Sequence, residues 1–119
     1  MRAVGYIFAE TIIVLAIAGY AWAGSPNAGA HIAMMKCAGC HGDDGKGRGL
    51  ALEDLNPRQR PISWTDKSAM AKFSDQQLAQ IISKGGDPQD NPPAMPAFRD
   101  KLNPQDIDDV IAYIRSLAQ

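Results

Sequence analysis

The sequence predicts a small all-α protein, and three local patterns support this prediction. Ser74 and Gln77 have the spacing of a helix-capping box and precede apolar residues that recur with helical periodicity. Asn103 and Pro104 begin a final amphipathic segment with a capping residue and an N1 proline. The chain shows no alternation of strand and helix patterns, and its 119 residues are enough for one domain. We therefore expect three to four short helices around a single core.

The segment Cys37–His41 reads Cys-Ala-Gly-Cys-His. Two cysteines separated by two residues, with a histidine directly after the second, form the attachment signal for c-type haem. Each thiol adds to one haem vinyl group, and the following histidine then lies beside the iron as an axial ligand. Redox dithiols and zinc sites also contain CxxC. A redox dithiol would be expected in a βαβ context, which the sequence does not show, and a zinc site would need a second pair of ligands, for which His31 is the only candidate. We predict one haem c bound through Cys37 and Cys40, with His41 on the iron.

An apolar leader precedes this motif. Residues 1–23 begin with one basic residue and end in Ala21-Trp22-Ala23, the small-x-small pattern of a signal-peptidase site. We predict a signal peptide over 1–23 and a domain over 24–119. The alternative is an uncleaved membrane anchor facing the periplasm, because about 20 apolar residues can span a bilayer. Glu10 disfavours the anchor, since a carboxylate inside the membrane is costly. The expected location is therefore periplasmic or otherwise extracytoplasmic.

The segment 28–36 should form the first helix, with Asn27 as its cap. Gly29, the haem motif and the glycine-rich run 42–47 resemble a class I cytochrome c, and the resemblance extends from about Asn27 to the end of the chain. It implies a small fold packed around one covalently bound haem, with the N- and C-terminal helices crossing at that glycine. It also implies haem attachment outside the cytoplasm. The family often has an aromatic residue four positions before the first cysteine, where this chain has Ala33.

The middle of the chain is a sequence of turns. Residues 42–49 carry four glycines and predict a tight loop, and 50–55 predict a short helix. Arg60 and Trp64 follow in a proline-punctuated loop, with Arg58 as a weaker candidate. Guanidinium and indole N–H groups are suited to the carboxylates of haem propionates, so we predict such contacts for Arg60 and Trp64. Solvated arginines and a tryptophan that merely fills the core are the alternative.

Met95 is the predicted distal ligand of the iron. Four prolines surround it and favour a rigid extended loop, and the Met95-Pro96 pair followed by Phe98 resembles the distal-ligand loop of monohaem cytochromes c. Met70 is the competing methionine, in a stretch that looks helical. The loop setting favours Met95.

Three other candidate ligands lie on the helix that leads into the haem motif, so they should not reach the opposite haem face. They are His31, expected to be exposed, and Met34 and Met35, expected to contact haem or core.

The last helix should bury one apolar stripe. The stripe comprises Ile107, Val110, Ile111, Ile114 and Leu117. Asp108, Asp109 and Arg115 are expected to face water. Tyr113 resembles the family aromatic that packs where this helix crosses the first, near Gly29.

Together these patterns predict a monohaem cytochrome that transfers single electrons between redox partners outside the cytoplasm, with His41 and Met95 as axial ligands. The formal net charge of −1 gives no sign of nucleic-acid binding. We expect a monomer and transient partners; membrane contact requires a retained leader or a membrane-bound partner. Two alternatives stay open. One is a haem enzyme or gas sensor with an open sixth position, and the other is the electron-entry subunit of a larger membrane oxidoreductase.

Overall fold

The computed structural model describes residues 23–86 and 94–119. The predicted leader, up to residue 22, and the prolines at 88, 92 and 93 lie outside these residues. Within the described residues the secondary structure is entirely helical, as predicted. The α-helices are α1 (Pro26–Lys36), α2 (Ala38–His41), α3 (Lys67–Met70), α4 (Asp75–Lys84) and α5 (Pro104–Leu117), and two short 3₁₀ helices cover Leu50–Leu52 and Pro57–Gln59.

The helix α1 begins two residues earlier than the sequence suggested. Ser25 is its N-cap, and the Ser25 side chain accepts a hydrogen bond from the N–H of Ala28. Pro26 occupies the first turn, where a missing N–H costs nothing. The prediction that Asn27 caps this helix is therefore wrong, because the serine before the proline provides the oxygen.

The caps predicted for the two other long helices are confirmed. Ser74 and Gln77 form a reciprocal capping box at the start of α4. Asn103 and Asp106 form another at the start of α5, with Pro104 in the first turn. These bonds satisfy backbone N–H groups that a helix leaves unpaired, so both helices start at fixed positions.

The helices α1 and α5 cross at Gly29. A Cβ atom at this position would overlap the carbonyl group of Asp109 and would lie 2.9 Å from the Cβ of Tyr113. The close crossing and the place of Tyr113, both implied by the resemblance, are confirmed.

Asp109 also ties the two helices together. Its carboxylate accepts hydrogen bonds from the backbone N–H of Ser25 (2.7 Å) and from Gln105 Nε2 (2.9 Å). Because Asp109 is only 8% exposed, the prediction that it faces water is wrong. A buried carboxylate requires such donors, and α1 supplies one of them.

Arg115 is the second polar residue of α5 that was wrongly assigned to water. Its guanidinium donates to the carbonyl oxygens of Met70 (2.9 Å) and Phe73 (2.5 Å) and to the carboxylate of Asp75 (2.8 Å). These bonds fasten the connection between α3 and α4 to the last helix.

One hydrophobic core joins the described helices. It contains Ala33, Trp64, Met70, Leu78, Ile82, Phe98, Leu102, Ile107, Val110, Ile111 and Ile114. Four of the five predicted stripe residues of α5 are buried, and Leu117 packs partly buried beside them. In the parts of the chain described, we find no helix with the length and hydrophobicity needed to cross a membrane.

Candidate functional site

The helix α2 presents the haem-attachment motif. The N–H groups of Cys40 and His41 both donate to the carbonyl oxygen of Cys37, at 3.1 and 2.9 Å. Both cysteines are free thiols and partly exposed. Burial, together with the neighbouring Cys40 sulfur, raises the pKa of the Cys37 thiol to about 11 despite the opposing charge of Lys36. One helical turn therefore holds both thiols and the histidine.

The glycine-rich loop folds back over the end of this turn. The N–H of Gly47 donates to the carbonyl oxygen of His41 (2.7 Å), and that of Gly49 donates to Cys40 (3.0 Å). A Cβ at Gly49 would overlap the Gly39 carbonyl, so the close approach requires glycine. The loop thereby fixes the backbone of α2 at its histidine end.

The side chain of His41 packs against an aromatic ring. Its ring stacks on that of Trp64, with a centroid distance of 4.4 Å and an interplanar angle of 21°. Burial lowers the pKa of His41 to about 4, so the imidazole is neutral at neutral pH. Its Nδ1 atom is buried and has no hydrogen-bond partner among the described residues. A neutral imidazole beside two thiols is the donor set that haem c requires, so these residues fit that group.

Besides His41, Trp64 contacts Gly45 and Tyr113. Its backbone N–H donates to the Gly45 carbonyl oxygen at 2.8 Å, and its ring packs edge-on against Tyr113 with a centroid distance of 6.4 Å. A Cβ at Gly45 would come within 2.9 Å of the indole. The sequence predicted that Trp64 lies near haem, but it gave no sign of the stack on His41. That contact depends on how the loop that carries Trp64, more than twenty residues after His41, packs in the folded protein. Its propionate contact stays a prediction.

The guanidinium of Arg60 donates hydrogen bonds to two backbone carbonyl oxygens. Its Nε donates to the carbonyl oxygen of Leu55 (3.2 Å) and its Nη2 to that of Glu53 (3.0 Å). These bonds close the loop around the second 3₁₀ helix, while Arg58 is exposed. A propionate contact from Arg60 also stays a prediction.

The two candidate distal methionines differ in setting. Met70 ends α3 and is 3% exposed inside the hydrophobic core, whereas Met95 lies partly buried against the same core in a non-helical segment. The helical setting predicted for Met70 is confirmed. Ligation of iron by Met95 stays a prediction.

The residues on α1 have simpler roles. His31 is exposed, as expected. Met34 and Met35 are 51% and 80% exposed. The prediction that they contact the core is therefore wrong. Contact with haem stays a prediction.

Comparison with known proteins identifies the family. The sequence profile of the cytochrome c family matches residues 26–118. The chain belongs to the cytochrome c family. It is also 32% identical over 97 residues to the cytochrome c subunit of alcohol dehydrogenase (quinone) from Gluconobacter oxydans (strain 621H). That match covers 77% of this cytochrome chain but only 18% of the relative, so the chain spans less than a fifth of the relative's length.

Solved structures show the same fold. The c-type cytochrome KustC0563 superposes with a TM-score of 0.56 at 21% identity, covering 76% of this chain and 98% of its own. The c-type cytochrome XoxG from Methylobacterium extorquens AM1 gives a TM-score of 0.55 at 23% identity, covering 78% and 50%. The resemblance to cytochromes c and the predicted fold are confirmed.

Membership of the family establishes the chemistry in outline. The cytochrome binds haem c covalently, and Cys37 and Cys40 have the attachment spacing. Proteins of this family carry electrons between redox partners, and its class I members are generally extracytoplasmic.

Proposed function

We propose that this cytochrome is a monohaem electron carrier of the periplasm in which His41 and Met95 are the axial ligands of the iron. The observation that supports this most directly is the shared core. Trp64, whose ring stacks on His41, belongs to the same hydrophobic cluster against which Cys37 and Met95 pack. The attachment motif and the methionine therefore border one apolar compartment.

Each residue then has a defined part in the chemistry. Haem c, when bound, supplies an iron atom that alternates between Fe(II) and Fe(III). His41 offers a neutral imidazole nitrogen, and Met95 offers a thioether sulfur, a soft donor that favours Fe(II). Trp64 holds the histidine ring by stacking. With His41 and Met95 both holding the iron, no position would remain at which a substrate could bind the metal.

The contact of Gly24 with α5 supports a domain that starts at the predicted cleavage position. A Cβ at Gly24 would overlap the Asp108 carbonyl, so the residue that follows this position is already part of the folded domain. We expect a mature monomer that starts at Gly24 and meets its partners through small, transient interfaces. Mass spectrometry of the exported haem protein tests this, and a mass that retains residues 1–23 contradicts it.

The ligand assignment is tested by one chemical change at the two candidate positions. Met95→Leu and Met70→Leu each remove a sulfur while conserving side-chain volume. In the oxidised protein, the weak red absorption band of iron–methionine coordination should disappear with Met95→Leu and persist with Met70→Leu. The opposite pattern would assign Met70 as the ligand.

The same spectra address the enzyme or sensor alternative. If the wild-type protein lacks the band and its reduced form binds carbon monoxide readily, the sixth position is open and the carrier mechanism proposed here is wrong. A persistent band and slow carbon monoxide uptake support the carrier.

A second candidate function is that of an electron-entry domain fixed to a larger oxidoreductase. The likeness to a subunit of alcohol dehydrogenase (quinone) favours it, because that relative is by name part of a dehydrogenase. Fractionation of cells that produce the native protein separates the two functions. A membrane-associated form that co-purifies with a dehydrogenase supports the fixed subunit, and a soluble exported form supports the shuttle.

A further inference from the structure

The turn that ends α4 lies directly against the backbone of Met95. The N–H of Gly86 donates to the Met95 carbonyl oxygen at 2.8 Å. Just beyond the methionine, the N–H of Phe98 donates to the Ile82 carbonyl oxygen at 3.0 Å. The end of α4 thus donates to the methionine segment at Gly86 and accepts from it at the free carbonyl of Ile82, and these two bonds set the register between the segments.

Gly85 sits at the closest point of this contact. It has φ 73° and ψ −170°, a combination that only glycine adopts readily. A Cβ there would lie 2.5 Å from the Met95 carbonyl oxygen, 2.8 Å from the Pro96 carbonyl carbon and 2.8 Å from the Ala97 nitrogen. All three are backbone atoms, so no side-chain rotation relieves the overlap. The methionine segment would have to move by at least 0.5 Å to restore the 3.0 Å that real Cβ contacts keep.

The next residue, Gly86, differs from Gly85 in its backbone conformation and in the space available for a Cβ. Gly86 is absent from the positive-φ glycines of the described residues. A Cβ at Gly86 would lie 3.4 Å from the Met95 nitrogen, which is ordinary van der Waals contact. Two adjacent glycines therefore face the same segment, and only one leaves no room for a side chain.

We propose that Gly85 is the positioning residue for the methionine ligand: its missing side chain lets the end of α4 hold the Met95 backbone at the distance from which the sulfur reaches the iron. The inference rests on the proposed ligation by Met95. An iron–thioether bond is weak, so it persists when the chain holds the sulfur in place and is lost when the segment shifts. Gly85 touches no haem atom in this role and acts through the backbone of Met95.

The test compares Gly85→Ala with Gly86→Ala in the haem-loaded protein. Gly85→Ala should weaken or abolish the red iron–methionine band and raise the affinity for added imidazole at least about tenfold, because the open state becomes more populated. Gly86→Ala should keep the band and an imidazole affinity within about twofold of wild type. Gly29→Ala, whose added Cβ would meet α5 and not the methionine segment, controls for lost stability: it should lower the unfolding midpoint and leave the band intact.

A double variant shows whether Gly85 acts through Met95. In a Met95→Leu background, Gly85→Ala should leave imidazole affinity unchanged, since no sulfur remains to be displaced. A further large increase there would overturn the positioning role.

The remaining outcomes are also decisive. If Gly85→Ala retains a full band and wild-type imidazole affinity while Met95→Leu loses the band, the positioning role is wrong and the ligand assignment stands. If Gly85→Ala cannot be obtained as a folded haem protein although Met95→Leu can, Gly85 serves folding, and the positioning role is again wrong. If Met95→Leu keeps the band, the proposed ligand itself is wrong.

Discussion

Replacing Gly29 by alanine should destabilise this cytochrome although alanine is the better helix former. The added Cβ would overlap the carbonyl group of Asp109 and crowd the Cβ of Tyr113 at 2.9 Å. The first neighbour is backbone and cannot rotate away. The two terminal helices must therefore separate where they cross, and the packing of both against the core loosens.

The size of the effect follows from two opposing terms. Overpacking a close contact costs about 1–3 kcal/mol, and a rigid backbone neighbour places this site near the upper end. Exchanging glycine for alanine inside a helix returns about 1 kcal/mol. A net loss of about 2 kcal/mol in the free energy of unfolding is expected. For a domain of this size, that lowers the unfolding midpoint by roughly 8–16 °C.

Thermal unfolding of the oxidised haem protein, followed by circular dichroism, measures this shift. His31→Ala is the matched control, because it also places alanine in α1 but at an exposed position. It should leave the midpoint unchanged or raise it slightly. An equal or higher midpoint for Gly29→Ala would refute the reasoning, since it would mean that α1 and α5 do not touch closely at this residue.

Three further predictions follow from single contacts. Trp64→Ala should lower the free energy of unfolding by about 3–5 kcal/mol. It should also change the paramagnetic NMR shifts of the haem methyl groups, which report the orientation of the axial histidine. Trp64→Phe should largely preserve these shifts. Arg115→Met should cost about 2 kcal/mol in chemical unfolding, because the Phe73 carbonyl loses its donor and the Met70 carbonyl loses one of its two donors. Asp75→Asn, which weakens the exposed ion pair, should change stability by less than about 0.5 kcal/mol. The hydrogen bond from the Ala69 N–H lowers the pKa of the Asp66 carboxyl, so this cap stabilises α3 above the usual pKa of 3.8 and loses that effect as the pH falls through the lower folded-state value. The stability difference between wild type and Asp66→Ala should therefore shrink in acid, and a constant difference across denaturant titrations from pH 7 to acid would contradict this.

Short-range patterns made much of this protein predictable. The haem motif, the capping box at Ser74 and the cap at Asn103 each depend on residues within a few positions of one another. Such signals act through local backbone hydrogen bonds, which are the same whatever the rest of the chain does. The one cap assigned wrongly, at Asn27, was also a local choice between neighbouring polar residues.

The alternation of polar and apolar residues was a weaker guide on α5. It identified the apolar stripe, but it assigned Asp109 and Arg115 to water because both side chains are charged. Each has at least one partner on another element: Asp109 at Ser25, before α1, and Arg115 at the connection from α3 to α4. A charged side chain can leave water where distant donors or acceptors satisfy it, and a helical pattern does not contain those distant partners.

Local patterns were therefore enough to predict the helical fold, the haem attachment through Cys37 and Cys40, and the family. The stack of Trp64 on His41 and the contact of Gly85 with Met95 could be seen only in the folded protein. The two kinds of information differ in range. Haem attachment needs a fixed spacing within one turn, which the order of residues specifies directly. The support of each candidate axial ligand comes from elements that meet only when the whole chain packs, so it is set by the shape of the core.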